Sequence, residues 1–337
     1  MSDLDAIVLD HGTGSKRSRE LVELISNTLG DVYIGQMEDS AVLPIGTSMI
    51  AMTTDSFVVT PIFFSGGNIG KIAICGTVND LAVSGANPKY LTLSFVLEVG
   101  LPIADLVSIL QTIRETSLEA DILIVAGDTK VVNKGEVDKI FINTCGVGEF
   151  MNEPLTYKNI QPGDRIILSG NIGEHAIHLL SLREGLGFEE RIKSDCAPLN
   201  RMIRNIIDYT PPGAIRCIRD VTRGGLSAVL HEFASMTNTG MNVWEQELPI
   251  PLEVMMAADM LGINPIHLAN EGCICLFVRE DQAEHVLSLL RKETYGKNAC
   301  CIGYVSESDR NHVLFHQPDG SKRRIEELVG IELPRLC

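Results

Sequence analysis

Several acidic residues stand beside short apolar runs, where their side chains could bind a cation. Asp55 follows the run MIAMTT, Asp80 follows ICGTVN and Asp128 follows ILIVAG, while Asp39 precedes another such run. Ligand sites of α/β proteins collect at the carboxyl ends of strands, and Mg²⁺ is held by one or two carboxylates together with phosphate oxygens. The pattern favours a Mg-nucleotide site. The alternative is that each aspartate caps a helix or stabilises a turn.

Two glycine-rich segments offer backbone amides to a phosphate group. FSGGNIGK (64–71) is not a Walker A loop, because Ile72 stands where Ser or Thr is required. DVTRGGL (220–226) has two glycines that open a predicted helix, and a helix N-terminus attracts anions. The alternative for both is a tight turn that needs positive φ. No GxGxxG motif is present, which disfavours a nicotinamide dinucleotide fold.

Cysteine and histidine raise three further possibilities. Cys337, the last residue, sits on a proline-containing tail, so its thiol could reach a site that no core cysteine can reach; the alternative is an incidental terminal cysteine. His175 and His178 share one face of a predicted helix, but no third ligand is suitably spaced for a metal. A zinc site made by Cys273 and Cys275 with the 300–301 pair is also disfavoured, because cysteine is commonly a small buried hydrophobe. Glu271 directly precedes that strand, a position usual for a turn residue.

Hydrophobic periodicity supplies the elements that must position these residues. It predicts helices over residues 18–29, 102–118, 199–209, 225–237, 253–261 and 281–292. Short apolar runs predict strands over residues 48–54, 90–97, 121–126, 139–145, 165–169, 273–278 and 312–316. A helix-like run covers residues 324–329. Helices and strands interleave along the whole chain, which is typical of layered α/β domains.

Length and charge set the wider limits. The 337 residues suggest two domains, 1–155 and 156–329, followed by a short tail, 330–337; the polar stretch 149–164 is the boundary. The formal charge of −16 disfavours nucleic-acid binding. No run without a charged residue is longer than fifteen residues, the length of 40–54, which is too short to span a membrane. Nine cysteines without a CxxC pair, and no secretion signal, favour the cytoplasm.

Motifs along nearly the whole chain resemble the HypE family, the carbamoyl dehydratases of nickel–iron hydrogenase maturation. The matching stretches are HGTGS (11–15), PIFFSGGNIGK (61–71), GTVNDLAVSGA (76–86), AGDTKVV (126–132), RDVTRGGLSAVLHEFA (219–234), ANEG (269–272) and LPRLC (333–337). The resemblance implies a mixed α/β, two-domain fold like that of aminoimidazole ribonucleotide synthetase. It also implies a homodimer that pairs its N-terminal sheets, a flexible C-terminal tail, and ATP and Mg²⁺ near the dimer interface.

The resemblance further implies a reaction and its partners. A carbamoyltransferase, HypF, would load a carbamoyl group on Cys337. The chain would dehydrate it with ATP to a thiocyanate, and the cyano group would pass to iron on a HypC–HypD complex. This would supply the cyanide ligand of the hydrogenase.

Within that hypothesis each candidate residue has a role. Cys337 is the carrier, Glu271 is the general base, and Lys130 stabilises negative charge or orients the carbamoyl group. The candidate metal ligands are Asp39, Asp55, Asp80 and Asp220. The candidate nucleotide-binding residues are Asp39, Asp55, Asn68, Lys71, Asp80, Asp128 and Thr222.

Two other functions remain open at this point. One is a small-molecule ATP-dependent synthetase of the same superfamily, similar to selenophosphate synthetase, although no cysteine lies in the N-terminal loop where selenide chemistry is expected. The other is a scaffold that only delivers a modified thiol to partners. ATP turnover that depends on a carbamoylated Cys337 would exclude the scaffold.

Overall fold

The structure is a computed structural model, and it describes residues 16–17, 19–20, 23, 40–45, 48–150 and 152–328. Among these residues, none of the helices has the length and apolar character needed to cross a bilayer.

In the described part of the N-terminal domain, five strands form one sheet in the order β1-β2-β7-β5-β6. The elements are β1 (Ala41–Ile45), β2 (Ser48–Phe57), the hairpin strands β3 (Phe63–Phe64) and β4 (Gly67–Asn68), α1 (Ile69–Val83), β5 (Ala86–Glu98), α2 (Ile103–Ala120), β6 (Leu123–Val132) and β7 (Ile140–Phe150). The pairs β1–β2, β2–β7 and β7–β5 are antiparallel, whereas β5 and β6 are parallel and joined through α2. Strand β6 therefore forms an edge of the sheet.

Helix α1 lies at the centre of the molecule. Twelve of its fifteen residues are buried, because it packs on strands of its own sheet and also on helix Asn200–Asp208 and strand Ile215–Asp220 of the second domain. The apolar run ICGTVN before Asp80, which is strand-like in sequence, lies within this helix. A short apolar run buried on all sides has the same appearance in a strand and in a helix, and here two-sided packing selects the helix.

In the described part of the C-terminal domain, seven strands form a second sheet in the order β14-β13-β10-β12-β8-β11-β9. Its strands are β8 (Arg165–Leu168), β9 (Ile215–Asp220), β10 (Gly240–Trp244), β11 (Ile274–Val278), β12 (Cys300–Ser306), β13 (Val313–His316) and β14 (Lys322–Ile325). Its helices are α3 (Glu174–Glu184), α4 (Asn200–Asp208), α5 (Gly225–Thr237), α6 (Leu252–Leu261) and α7 (Ala283–Leu290). One apolar cluster joins the two domains, since it contains residues of both α1 and α3.

The mixed α/β fold with two domains is confirmed. The boundaries at 155 and 329 stay predictions, and most of the predicted helix 18–29 lies outside the described residues. The helix expected at 324–329 is wrong where the structure describes it, because β14 pairs with β13 through residue 325 and irregular backbone follows to residue 328.

Candidate active site

Two predicted acids face the space between the first sheet and helix α1. The Thr77 hydroxyl donates to Asp55 Oδ2 at 2.9 Å, and the Thr53 hydroxyl donates to Asp80 Oδ2 at 3.0 Å. Asp55 lies within β2 and Asp80 within α1, so neither follows a strand as the sequence had suggested. The structure still brings them to one region, because each carboxylate accepts a hydrogen bond from a threonine of the element that holds the other acid.

Asp220 approaches this region from the second domain. It is the last residue of β9 and is 8% exposed. Burial raises the pKa of its carboxyl, although Arg219, Thr222 and Arg223 act against that shift. Burial also raises the pKa of Asp55, and the charge of Asp220 raises it further, while Thr77 and Arg223 lower it. Two carboxyls from different domains therefore lie within electrostatic range of each other.

Glu271 is the most deeply placed acid of the site. It is 4% exposed in the turn before β11, and its Oε1 has no hydrogen-bond partner among the described residues. Burial holds the pKa of this carboxyl well above its ordinary value, and the neighbouring Cys196, Asp195 and Asp220 add to the effect while Arg223 opposes it. A buried carboxyl oxygen without a partner is costly, which is typical of a group that meets a ligand.

The two glycine-rich segments shape the loops beside these acids. Asn68 is the N-cap of α1: its side chain accepts from the Gly70 and Lys71 amides at 2.9 and 3.3 Å, and its amide donates to Thr112 at 2.8 Å. Lys71 Nζ donates to the Gly66 carbonyl at 2.9 Å. At the second segment a Cβ on Gly225 would lie 2.5 Å from the Ile266 carbonyl, so only glycine allows this approach.

The chain is similar to known proteins along nearly its whole length. Two family models match it, "AIR synthase related protein, N-terminal domain" over residues 37–150 and "AIR synthase related protein, C-terminal domain" over residues 161–316. Carbamoyl dehydratase HypE of Azotobacter vinelandii is 39% identical over an alignment 343 positions long, which covers 100% of both sequences. The chain belongs to the HypE family.

Solved HypE structures share the whole architecture. A HypE–HypF complex has a TM-score of 0.85 and 42% identity, covering 91% of this chain and 99% of that one. A HypE structure in complex with ATP has a TM-score of 0.82 and 37% identity, covering 98% and 100%. Similarity to HypE proteins over the full length disfavours the alternative of a selenophosphate synthetase-like enzyme.

The remaining residues that the sequence predicted for the site lie either far from these acids or outside the described residues. Asp128 and Lys130 form an exposed ion pair of 3.0 Å within the edge strand β6. Strands β7 and β5 separate β6 from β2, so Asp128 is about 14 Å from Asp55 at the usual strand spacing. The structure therefore does not bring this pair into the site within one chain. Asp39, Cys337 and the HGTGS segment lie outside the described residues.

Sequence reasoning missed two residues of the site. Arg223 acts on Asp55, Asp220 and Glu271, and its position between Thr222 and the two glycines was the available signal. Asp195 accepts from the backbone amides of Glu271 and Gly272, both at 3.0 Å. No sequence signal marked Asp195, because its partners are more than seventy residues away along the chain.

The alternative metal sites are not formed by the described histidines and cysteines. His175 Nδ1 pairs with the Ser194 hydroxyl at 2.7 Å, and His178 Nε2 accepts from the Ser65 amide at 3.0 Å. In the part of the chain that the structure describes, no group of three or more His, Cys, Asp or Glu side chains is arranged to hold a metal ion.

Proposed function

We propose that the chain dehydrates an S-carbamoyl group on Cys337 at the expense of ATP. In this reaction the carboxamide oxygen attacks the γ-phosphorus, and ADP leaves. Removal of the N–H protons and cleavage of the C–O bond then expel phosphate and leave S–C≡N. The sum is thiocarbamate plus ATP giving thiocyanate, ADP, phosphate and one proton. Phosphorylation is required because oxide is a poor leaving group.

The observation that carries this proposal is the buried Glu271 carboxyl. Its Oε1 has no partner among the described residues, and the carboxyls of Asp195 and Asp220, the Cys196 thiol and Arg223 surround it. A carboxylate in such surroundings is a strong base once it has lost its proton, and an amide N–H is the group that it would deprotonate. The name of the relatives, carbamoyl dehydratase HypE, supports the reaction in which such a base would act.

Asp55, Asp80 and Asp220 would hold Mg²⁺, together with Asp39. The donor set fits this ion, since it consists of oxygen atoms and Asp55 and Asp220 repel each other without one. Mg²⁺ needs only one or two protein carboxylates besides phosphate and water, so a closed cage of three is not required. When bound, the ion neutralises charge on the transferred phosphoryl group.

The chain's own loops would position the nucleotide. Asn68 and Lys71 fix the turn at the N-terminus of α1, where the positive end of the helix dipole favours an anion. Thr222 is hydrogen-bonded to Asp220, and the adjacent Arg223 guanidinium would bind the phosphate that leaves. The solved HypE structure in complex with ATP supports nucleotide binding by this family.

Lys130 and Asp128 would act across a homodimer. Strand β6 is exposed along nearly its whole length, and its apolar side chains Leu123, Val125 and Val131 are 65%, 58% and 67% exposed. An open strand edge with apolar side chains is suited to cover by a second copy. In such a dimer, Lys130 of one chain would reach the active site of the other chain.

The partners follow from the same chemistry. A HypF-type carbamoyltransferase would load Cys337, as supported by the solved HypE–HypF complex of relatives. A HypC–HypD complex would accept the cyano group on its iron. The eight described cysteines are free thiols, which fits a reducing compartment such as the cytoplasm.

The decisive experiment follows the mass of the C-terminal peptide. After carbamoylation by HypF, the wild-type peptide should lose one water only when Mg-ATP is added. Cys337→Ala should form no product and still bind ATP. A carbamoylated Cys337 that keeps its water in Mg-ATP would refute the proposal. ATPase activity alone decides little, because slow turnover without substrate is expected of such an enzyme.

A further inference from the structure

The 194–199 segment joins the predicted base to the first domain. On one side, the Asp195 carboxylate accepts from the Glu271 and Gly272 amides, both at 3.0 Å, and the Ala197 amide donates to the Glu271 carbonyl at 3.4 Å. The approach is so close that a Cβ on Gly272 would lie 1.9 Å from the Asp195 carbonyl. The backbone of the base is therefore fixed by this segment.

The other side of the segment is tied to both nucleotide-binding elements of the first domain. The Ser194 amide donates to the Ser65 carbonyl at 3.0 Å, in the first glycine-rich segment. The Asn79 side chain donates to the Ala197 carbonyl at 3.0 Å and accepts from the Leu199 amide at 2.7 Å. Asn79 precedes Asp80 in α1, so the segment connects the predicted metal ligand with the predicted base.

Electrostatics link Asp195 to the same base. Burial, with a smaller contribution from the charge of Glu174 in α3, raises the pKa of Asp195 to about 7, although the two backbone amides act against this shift. The Asp195 charge in turn raises the pKa of Glu271. The other groups that face Glu271 are Cys196, Asp220 and Arg223. Cys273 also responds to the charge of Asp195.

We propose that Asp195 is a positioning residue for Glu271: its two hydrogen bonds to the backbone of residues 271 and 272 fix the carboxyl of the base against the substrate amide. This proposal rests on the proposed function, because it takes Glu271 as the base. It assigns no contact with substrate to Asp195. The role requires a carboxylate, since both of its oxygens accept from backbone amides.

The test compares Asp195→Asn and Asp195→Glu with the full-length wild type. Asn keeps one acceptor but turns an NH₂ group toward the other backbone amide, whereas Glu keeps the charge and displaces it. Asp208→Asn is the matched control, an exposed acid at the end of α4. Three readouts apply: dehydration of carbamoylated Cys337 with its pH profile, Mg-ATP affinity, and hydrogen exchange of the peptide that holds residues 270–273.

In Asp195→Asn we expect a rate about 10- to 100-fold lower, with Mg-ATP affinity unchanged. Exchange at residues 271 and 272 should be faster, and the rise of rate with pH should move to lower pH, because a negative neighbour of Glu271 is lost. Asp208→Asn should match the wild type. If Asp195→Asn does not fold, the same loss of rate in Asp195→Glu, at normal thermal stability, supports the proposal.

Other results would overturn the proposal. A wild-type rate in a folded Asp195→Asn or Asp195→Glu variant would do so. A lower rate of Asp195→Asn with an unmoved pH profile would also do so, because it indicates a purely structural role. A wild type that never loses water would instead refute the proposed function. Hydrogen exchange would still decide on Asp195, because unchanged exchange at residues 271 and 272 would mean that it does not hold the turn.

Discussion

At the level of single residues, the site brings together carboxyl groups whose negative charges repel one another. Asp55, Asp220 and Glu271 are each partly or largely buried, and the pKa of each is raised. Arg223 acts on all three, yet its effect is smaller than that of burial. Ionised acids in such a place lower the stability of the fold, and a bound cation with its phosphates would remove that cost.

Asp220→Asn should therefore stabilise the free protein while it abolishes dehydration. The folded pKa of Asp220 lies above its unfolded value, so its ionisation costs stability above the unfolded pKa, and this cost is complete above the folded pKa. The gain in melting temperature should be largest near pH 8 and should fade toward pH 4. Thermal melts at both pH values check this. An equal gain at both would show that charge is not the cause.

Glu271→Gln should lower the dehydration rate about 10²- to 10⁴-fold without weakening Mg-ATP binding. The raised pKa of Glu271 also sets the pH dependence of the wild type. A base must be ionised, so the rate should rise with pH at values higher than an ordinary glutamate would require. Single-turnover rates from pH 5 to 9 check both points. A wild-type rate in Glu271→Gln would remove Glu271 from the mechanism.

At the level of elements, the turn before β11 depends on one glycine. Gly272→Ala places a Cβ against the Asp195 carbonyl, so the turn and the 194–199 segment must separate. We expect a loss of about 1–3 kcal/mol in the free energy of unfolding, with slower dehydration. Gly170→Ala is the control, since a Cβ there would lie 3.8 Å from its nearest neighbour. Denaturant unfolding of both variants measures the difference.

Hydrophobic periodicity was sufficient to predict elements that bury one face and expose the other. Residues 225–237 were predicted as a helix with the bounds that the structure has. Strands β9 and β12 were missed, because arginines or glycine interrupt their apolar residues. Asp220 ends β9 and Glu271 lies in the turn before β11, and these two strands are neighbours in the sheet. The expectation that site residues collect in loops at one edge of a sheet is therefore met for this pair. Asp195 could not be found this way, since its role depends on a contact between distant segments.

For the molecule as a whole, the open edge of the first sheet makes the homodimer testable. Leu123 of β6 is 65% exposed at this edge, and a lysine there would bury a charge in the proposed interface. Leu123→Lys should weaken dimerisation roughly tenfold or more, and the dehydration rate should fall at dilution, because Lys130 then loses the partner's site. Met260→Lys on α6 is matched, since Met260 is also 65% exposed. Sedimentation velocity and rates over a concentration series measure both variants. A dimer unaffected by Leu123→Lys would place the interface elsewhere, and Lys130 would then not reach the active site of the partner chain.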